Sequence, residues 1–255
     1  MIILLSPAKI QNYKPQQEIK FYTQPEFLNE ASYLVELMRK LTSTEIGRLM
    51  EINRQLTHLN FDRFIQWHLP FTPKNAKQAV LAFDGEVYRG LNAKTFSEDE
   101  IKYAQSHLRL LSGLYGILKP FDLMQAYRLE VSSKLNNYAG TDFYPFWKEK
   151  VTQCIKRDLS KSGKPEILLN LSSSEYSKMI DIKTAKIPML DVEFLEYQHD
   201  SLKQIVIYTK KARGMMARFV IQNKIDNEDD LKGFNEGGYW YHHELSEEKK
   251  LVFVR

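Results

Sequence analysis

A single cysteine, Cys154, occurs in the 255 residues. Alone it excludes an intrachain disulfide and any zinc site built on several thiolates, and it suits a reducing cytoplasm. The six histidines are scattered without His-x-x-x-His spacing, and His242 and His243 would point to opposite faces of a strand. There is no Gly-x-Ser-x-Gly elbow and no phosphate loop ending in Gly-Lys-Ser/Thr. No metal or cofactor is therefore expected. Long apolar runs are missing too, so no membrane association is expected, and Met1-Ile-Ile-Leu-Leu-Ser-Pro7 lacks the basic flank and the length of a signal peptide. Charge of one sign is scarce: the net charge of +4 permits an anionic partner without demanding one.

What remains is an ordinary globular composition, 43% apolar and 27% charged, in a chain long enough to bury a substantial core. No repeat, low-complexity segment or linker divides it. A single domain over residues 1–255 is expected, of α+β (mixed α/β) class, with a mixed central sheet and several helices.

Ile2 to Leu5 is an apolar run of the kind buried on both faces of a sheet, ending in Ser6-Pro-Ala-Lys9. Ile167-Leu-Leu-Asn170 repeats that pattern and runs into Ser172-Ser-Ser-Glu-Tyr-Ser177. If the two strands are parallel neighbours, Ser6, Lys9, Glu175 and several hydroxyls meet at one sheet end, where α/β proteins commonly hold ligands. The bland alternatives are a surface lysine and a polar serine loop. Residues 10–24 read as a surface loop. Helical spacing covers Pro25 to Lys40, a capping box at Thr42-Ser-Thr-Glu45 opens a second helix, and a third is expected to begin near Asn60. Residues 76–83 fit either a helix end or a strand, and Asp84-Gly85 is a turn signal. Ser97-Glu-Asp-Glu100 caps a helix running to about His107. Asp142 caps a long helix in which Cys154 is a small buried hydrophobe, and Ser162-Gly-Lys-Pro165 ends it. Residues 187–197 and 204–208 alternate as an antiparallel strand pair across Gln198-His-Asp-Ser201. Residues 237–242 and 251–254 suggest a last hairpin.

Two stretches concentrate chemistry. In Leu110-Leu-Ser-Gly-Leu-Tyr-Gly116, Gly113 and Gly116 allow unusual backbone or a close approach. Lys119-Pro-Phe-Asp122 then turns the chain into Tyr127-Arg-Leu-Glu130, which as a strand would put Arg128 and Glu130 on one face. This is either a tight turn with a structural ion pair or a site shaped by Ser112, Gly113, Tyr115 and Gly116. In the second stretch, Lys210, Lys211 and Arg213 open a helix that continues through Arg218. Cations in a first turn oppose the helix dipole, and a bound anion would offset that cost. A solvated basic face is the alternative.

Jointly these motifs resemble the YaaA peroxide-stress-response family, from the first strand to the last: Ser6-Pro-Ala-Lys9; Leu110 to Gly116 with Pro120, Asp122, Met124-Gln125 and Tyr127-Arg-Leu-Glu130; Asn170-Leu171 with Glu175-Tyr176; and Lys210-Lys-Ala-Arg-Gly214 with Met216 and Arg218. Val131 and Ser172-Ser173 depart from the usual residues without touching a charged position. The resemblance implies a cytoplasmic protein that limits free iron during hydrogen peroxide stress. It also implies DNA binding through a basic cleft and a helix-hairpin-helix element, which no tight apolar-Gly-apolar-Gly turn locates here. On that hypothesis Lys9, Arg128, Lys210, Lys211, Arg213 and Arg218 are candidates to contact DNA or another anion. The competing hypothesis is an enzyme acting on a small anionic substrate such as a nucleotide or nucleobase. There Glu130 or Glu175 would be the general base and Lys9 or Lys210 the electrostatic stabiliser. Carboxylates of that kind would repel a DNA backbone. A closed pocket would favour the small molecule, and an open basic groove a duplex wide would favour DNA.

Overall fold

The computed structural model describes residues 1–15, 19–163, 165–199 and 201–255. Residues 16–18 of the expected surface loop, Lys164 at the expected helix end and Asp200 in the expected turn lie outside the described residues.

One mixed sheet forms the centre. Its strands are β1 (Ile2–Leu5), β2 (Leu108–Ser112), β3 (Gly116–Leu118), β4 (Leu168–Leu171), β5 (Met189–Gln198), β6 (Ser201–Lys203), β7 (Trp240–Tyr241) and β8 (Lys250–Val254). They lie in the order β7-β8-β5-β4-β1-β2-β3, with β6 also paired to β5. Strands β8, β5, β4, β1 and β2 run parallel, and β3 and β7 close the two ends antiparallel. Every residue of β1, β2 and β4 is buried, which is why these strands do not alternate: β1 is wholly apolar, and the buried polar residues Arg109 and Ser112 of β2 and Asn170 of β4 are each hydrogen-bonded. Strand β5 alternates buried and partly exposed positions, as a strand covered on one face must.

Around the sheet lie α1 (Leu28–Arg39), α2 (Ser43–Met50), α3 (Arg54–Gln66), α4 (Glu86–Leu91), α5 (Glu98–His107), α6 (Phe143–Lys161) and α7 (Val206–Asn223). Both expected capping boxes form, at Thr42 and at Ser97, and Asp142 caps α6 by accepting from Tyr144 N. Residues 76–83 divide between the two alternatives, with a two-residue bridge at Lys77–Gln78 and one helical turn at Ala79–Ala82. The expected last hairpin pairs β7 with β8.

Three expectations are corrected. Helix α3 begins at Arg54, not near Asn60, because Asn53 caps it through a 3.0 Å bond from Leu56 N. The strand partner of β5 is the short β6, and the segment expected to be a strand at 204–208 instead enters α7 at Val206. Val206, Ile207 and Tyr208 have the residue types of a strand, yet they are 63%, 54% and 44% exposed. The buried stripe of Ala212, Met216, Ala217 and Val220 sets the helix, and the first turn extends from it into solvent. Lys210, Lys211 and Arg213 therefore lie beyond the first turn of α7, and the helix-terminus argument for an anion there does not hold. Finally, residues 127–130 form no ladder strand. Their alternation survives all the same, with Tyr127 and Leu129 buried and Arg128 and Glu130 partly exposed.

Helices α4 and α7 cross glycine to glycine. A Cβ on Gly90 would stand 2.2 Å from Lys211 O, and one on Gly214 would stand 1.8 Å from Val87 O. Only two residues without side chains permit that approach. The contact fixes α7 against α4 beside the carboxyl ends of β1 and β4.

Candidate functional site

Strand β1 leads away to β2 on one side, while its neighbour β4 leads to β5 on the other. Their outgoing chains diverge, and in open α/β sheets the crevice at such a switch point is the usual ligand site. The predicted pairing of β1 with β4 is present, with Leu4 opposite Asn170 and Leu5 opposite Leu171. The two outgoing loops are joined: Ser6 Oγ accepts from Ser173 N at 2.8 Å and donates to Ser173 Oγ at 3.2 Å. Ser172 turns inward, its N and Oγ donating to Asn170 Oδ1 at 3.1 and 2.6 Å, so it serves the loop and not the crevice.

A cavity of about 430 Å³ fills the crevice, a size that suits a small molecule. The β1 loop supplies Ser6 and Lys9, the β4 loop Ser173 and Glu175, α7 Lys210 and Arg213, and the extended segment Arg128 and Glu130. Asp84, Glu86 and Arg89 come from the entry to α4. Tyr88, Tyr127 and Tyr176 add aromatic surface, and burial pushes all three phenols well above their ordinary values, so each stays a neutral hydroxyl.

The charges are mixed. Lys9 Nζ and Arg128 Nε each approach Glu130 Oε1 to 3.3 Å. Neither contact is aligned as a hydrogen bond: Arg128 Nε and Glu130 Oε1 are both buried without a hydrogen-bond partner. Arg213 Nε is in the same condition. Burial lowers the affinity of Arg213 for its proton, and Asp191 opposes that effect. Arg89 is committed, bonded to Glu86 and 3.7 Å from Asp84. One Glu175 oxygen accepts from Ser132 Oγ at 2.6 Å.

The cavity thus gathers Ser6, Lys9, Arg128, Glu130, Glu175, Lys210 and Arg213 among the residues singled out from the sequence. Lys211 is exposed on α7 and does not line it. Arg218 faces elsewhere, its Nη1 donating to Leu91 O at 3.1 Å and Asn92 O at 3.2 Å, with its guanidinium over Phe96. It closes the end of α4.

Of the two readings of the glycine-rich stretch, the tight turn is the one present, and none of its residues lines the cavity. Tyr115 is fully buried, accepting from Trp67 Nε1 at 3.0 Å and donating to Gln125 O at 3.2 Å, so it does not meet a ligand. The stretch is the β2–β3 hairpin. Gly116 takes a left-handed φ of 68° with the Trp147 ring lying against it. Gly113 admits the Leu129 carbonyl, which a Cβ would meet at 2.1 Å. Ser112 Oγ lies 2.6 Å from Tyr127 OH. The hairpin shapes the cavity from beneath, by holding Tyr127 and Leu129 in its wall.

Sequence reasoning missed Asp84, Glu86, Tyr88 and Arg89. The Asp84-Gly85 turn marked the position, but only the Gly90–Gly214 crossing brings it to the cavity, and nothing in one sequence pairs those two glycines.

A crevice of this shape, walled by hydroxyls, tyrosines and opposed charges at a switch point, has the position and form that ligand crevices take in open α/β folds. The family model for Peroxide stress protein YaaA matches residues 1–245. The chain belongs to that family, which is consistent with a role in peroxide stress. Among the described residues, no helix is long and apolar enough to cross a membrane, and no group of three His, Cys, Asp or Glu side chains could hold a metal ion.

Proposed function

We propose that this chain serves the peroxide stress response by binding, and acting enzymatically on, a small anionic molecule with a planar ring, of the nucleotide or nucleobase type. One observation carries this reading. Four buried side-chain polar atoms lack a hydrogen-bond partner among the described residues, and three of them, on Arg128, Glu130 and Arg213, belong to residues lining this cavity. Arg213 Nε makes no hydrogen bond, and Arg128 Nε and Glu130 Oε1 have only their unaligned 3.3 Å ion contact. A buried polar group without its hydrogen bond costs roughly 1–3 kcal/mol, so the gathering of three in one crevice supports a ligand there. Arg128 and Arg213 meet the anion, the tyrosines flank the ring, and Glu130 or Glu175 accepts a proton. Lys9 or Lys210 stabilises developing negative charge. In the cytoplasm the proposed outcome is limitation of free iron.

Calorimetry of the full chain against a panel of nucleoside 5′-monophosphates and inorganic phosphate tests this reading. At least one monophosphate should bind, and Arg213→Met should abolish that binding. No binding across the panel, or binding indifferent to Arg213→Met, would overturn it.

A second reading, DNA binding, draws on Lys9 and Lys210, exposed at the cavity, and Lys211, exposed on the same helix. In that reading the α2–α3 pair, joined through Glu51, Ile52 and Asn53, takes the part of the helix-hairpin-helix element. It requires duplex affinity that falls steeply with salt and weakens in Lys211→Ala. A flat salt dependence removes it.

A further inference from the structure

The cavity does not end at Glu130. A second cavity of about 600 Å³ lies beyond it, between the end of α2 and residues 132–135, and Lys9, Glu130 and Glu175 line both. The two are compartments of one cleft, with these three side chains at the passage.

Their charges differ once groups already engaged are set aside. In the outer compartment Glu45 is bonded to Thr42 N and Oγ1 at its own helix start, each at 2.7 Å. Lys134 is 3.1 Å from Asp142 Oδ2, and Lys9 is drawn to Glu130. Glu130 is likewise taken up by Lys9 and Arg128, so against Arg48 there remain Glu51 and the second oxygen of Glu175. The outer compartment therefore offers free acceptors on Glu51 and Glu175, whereas the inner one offers a donor on Arg213 that makes no hydrogen bond, and a second on Arg128 held only by its unaligned contact with Glu130. Glu51 is held in the left-handed conformation at the end of α2, with φ of 52°. Glycine or asparagine is the usual residue there.

We infer that the ligand is bipartite: its anionic, ring-bearing half occupies the inner cavity, and an amine-bearing arm passes Lys9 and Glu130 into the outer compartment. The arm's ammonium meets Glu175 and Glu51. Its approach draws Glu130 away from Lys9 and Arg128, leaving both cations to the anionic half. This inference rests on the small-molecule reading of the inner cavity and adds the second half of the ligand.

The test compares two esters of the nucleoside 5′-monophosphate that binds best in the panel above, one with a 3-aminopropyl group on phosphate and one with a butyl group. They are nearly equal in length and differ in the charge at the end. The aminopropyl ester should bind the full chain about fivefold more tightly, the gain expected of a partly solvated ion pair. That advantage should shrink in Glu51→Gln, which keeps the side chain's size, and at high salt. Equal affinities, or tighter binding of the butyl ester, overturn the bipartite ligand while leaving the inner-cavity reading standing. An advantage that survives in Glu51→Gln and in Glu175→Gln also overturns it, because the amine is then not in this compartment. If no monophosphate binds at all, both readings fall together.

Discussion

Replacing Gly214 with alanine sets two effects of opposite sign against each other. In the interior of an exposed helix, glycine to alanine stabilises by about 1 kcal/mol. At Gly214 the new Cβ would stand 1.8 Å from Val87 O and 2.7 Å from Leu91 N, both backbone atoms of α4. Contact at that point falls roughly 1.5–2 Å short of van der Waals separation, and no side-chain rotation relieves it. The helices must move apart, at the upper end of the 1–3 kcal/mol that overpacking usually costs. Net destabilisation of about 2 kcal/mol is expected, or a fall of roughly 4–8 °C in Tm for a chain of this size. Urea titration and calorimetry measure it, and ligand binding reports the second consequence. Because α7 carries Lys210 and Arg213 while α4 carries Tyr88, widening the crossing misaligns two walls of one cavity. A variant as stable as the parent, or more stable, with unchanged binding would refute the crossing as the device that sets the site.

Other expected outcomes follow from buried titratable groups. Asp122 is pushed up to about 6, chiefly by burial, against bonds from Thr23 Oγ1 and Lys119 N that favour its charged form. Its folded value lies above the unfolded one, so its contribution to stability is largest below about pH 4 and is lost as pH rises through 6. Wild type and Asp122→Asn should converge at low pH, and the variant should gain relative stability between pH 4 and 6; parallel pH profiles would contradict this. The Cys154 thiol is pushed up to about 12, first by burial and then by Asp158 and Glu26. Iodoacetamide should label it only as fast as the protein opens, and rapid labelling of the native chain would contradict that placement.

Much of the fold was legible because local chemistry decided it. The apolar runs that begin β1 and β4, the two capping boxes and the Asp142 cap are each complete within a few residues. The start of α7 was not legible. Val206, Ile207 and Tyr208 are strand formers by type, and only the buried stripe further along commits them to a helix. For the site, the Ser6-to-Lys9 and Ser172-to-Ser177 loops were placed correctly by the parallel-neighbour argument. Arg218 was grouped with the anion candidates because it lies on the same helix as Lys210, Lys211 and Arg213, which says nothing about which element packs alongside. Tyr115 shared a motif with site-supporting residues yet lies beneath the site, since hydrogen bonds to Trp67 and Gln125 hold its hydroxyl in the core.

The two bonds between Ser6 and Ser173 have a mechanical meaning. They stitch the loops leaving β1 and β4, and both strands are themselves held in a parallel ladder. The floor of the crevice is therefore tied across its two loops, three residues before Lys9 and two before Glu175. Cutting the stitch with Ser6→Ala removes both bonds without removing any charge and leaves the strand ladder below to hold the floor.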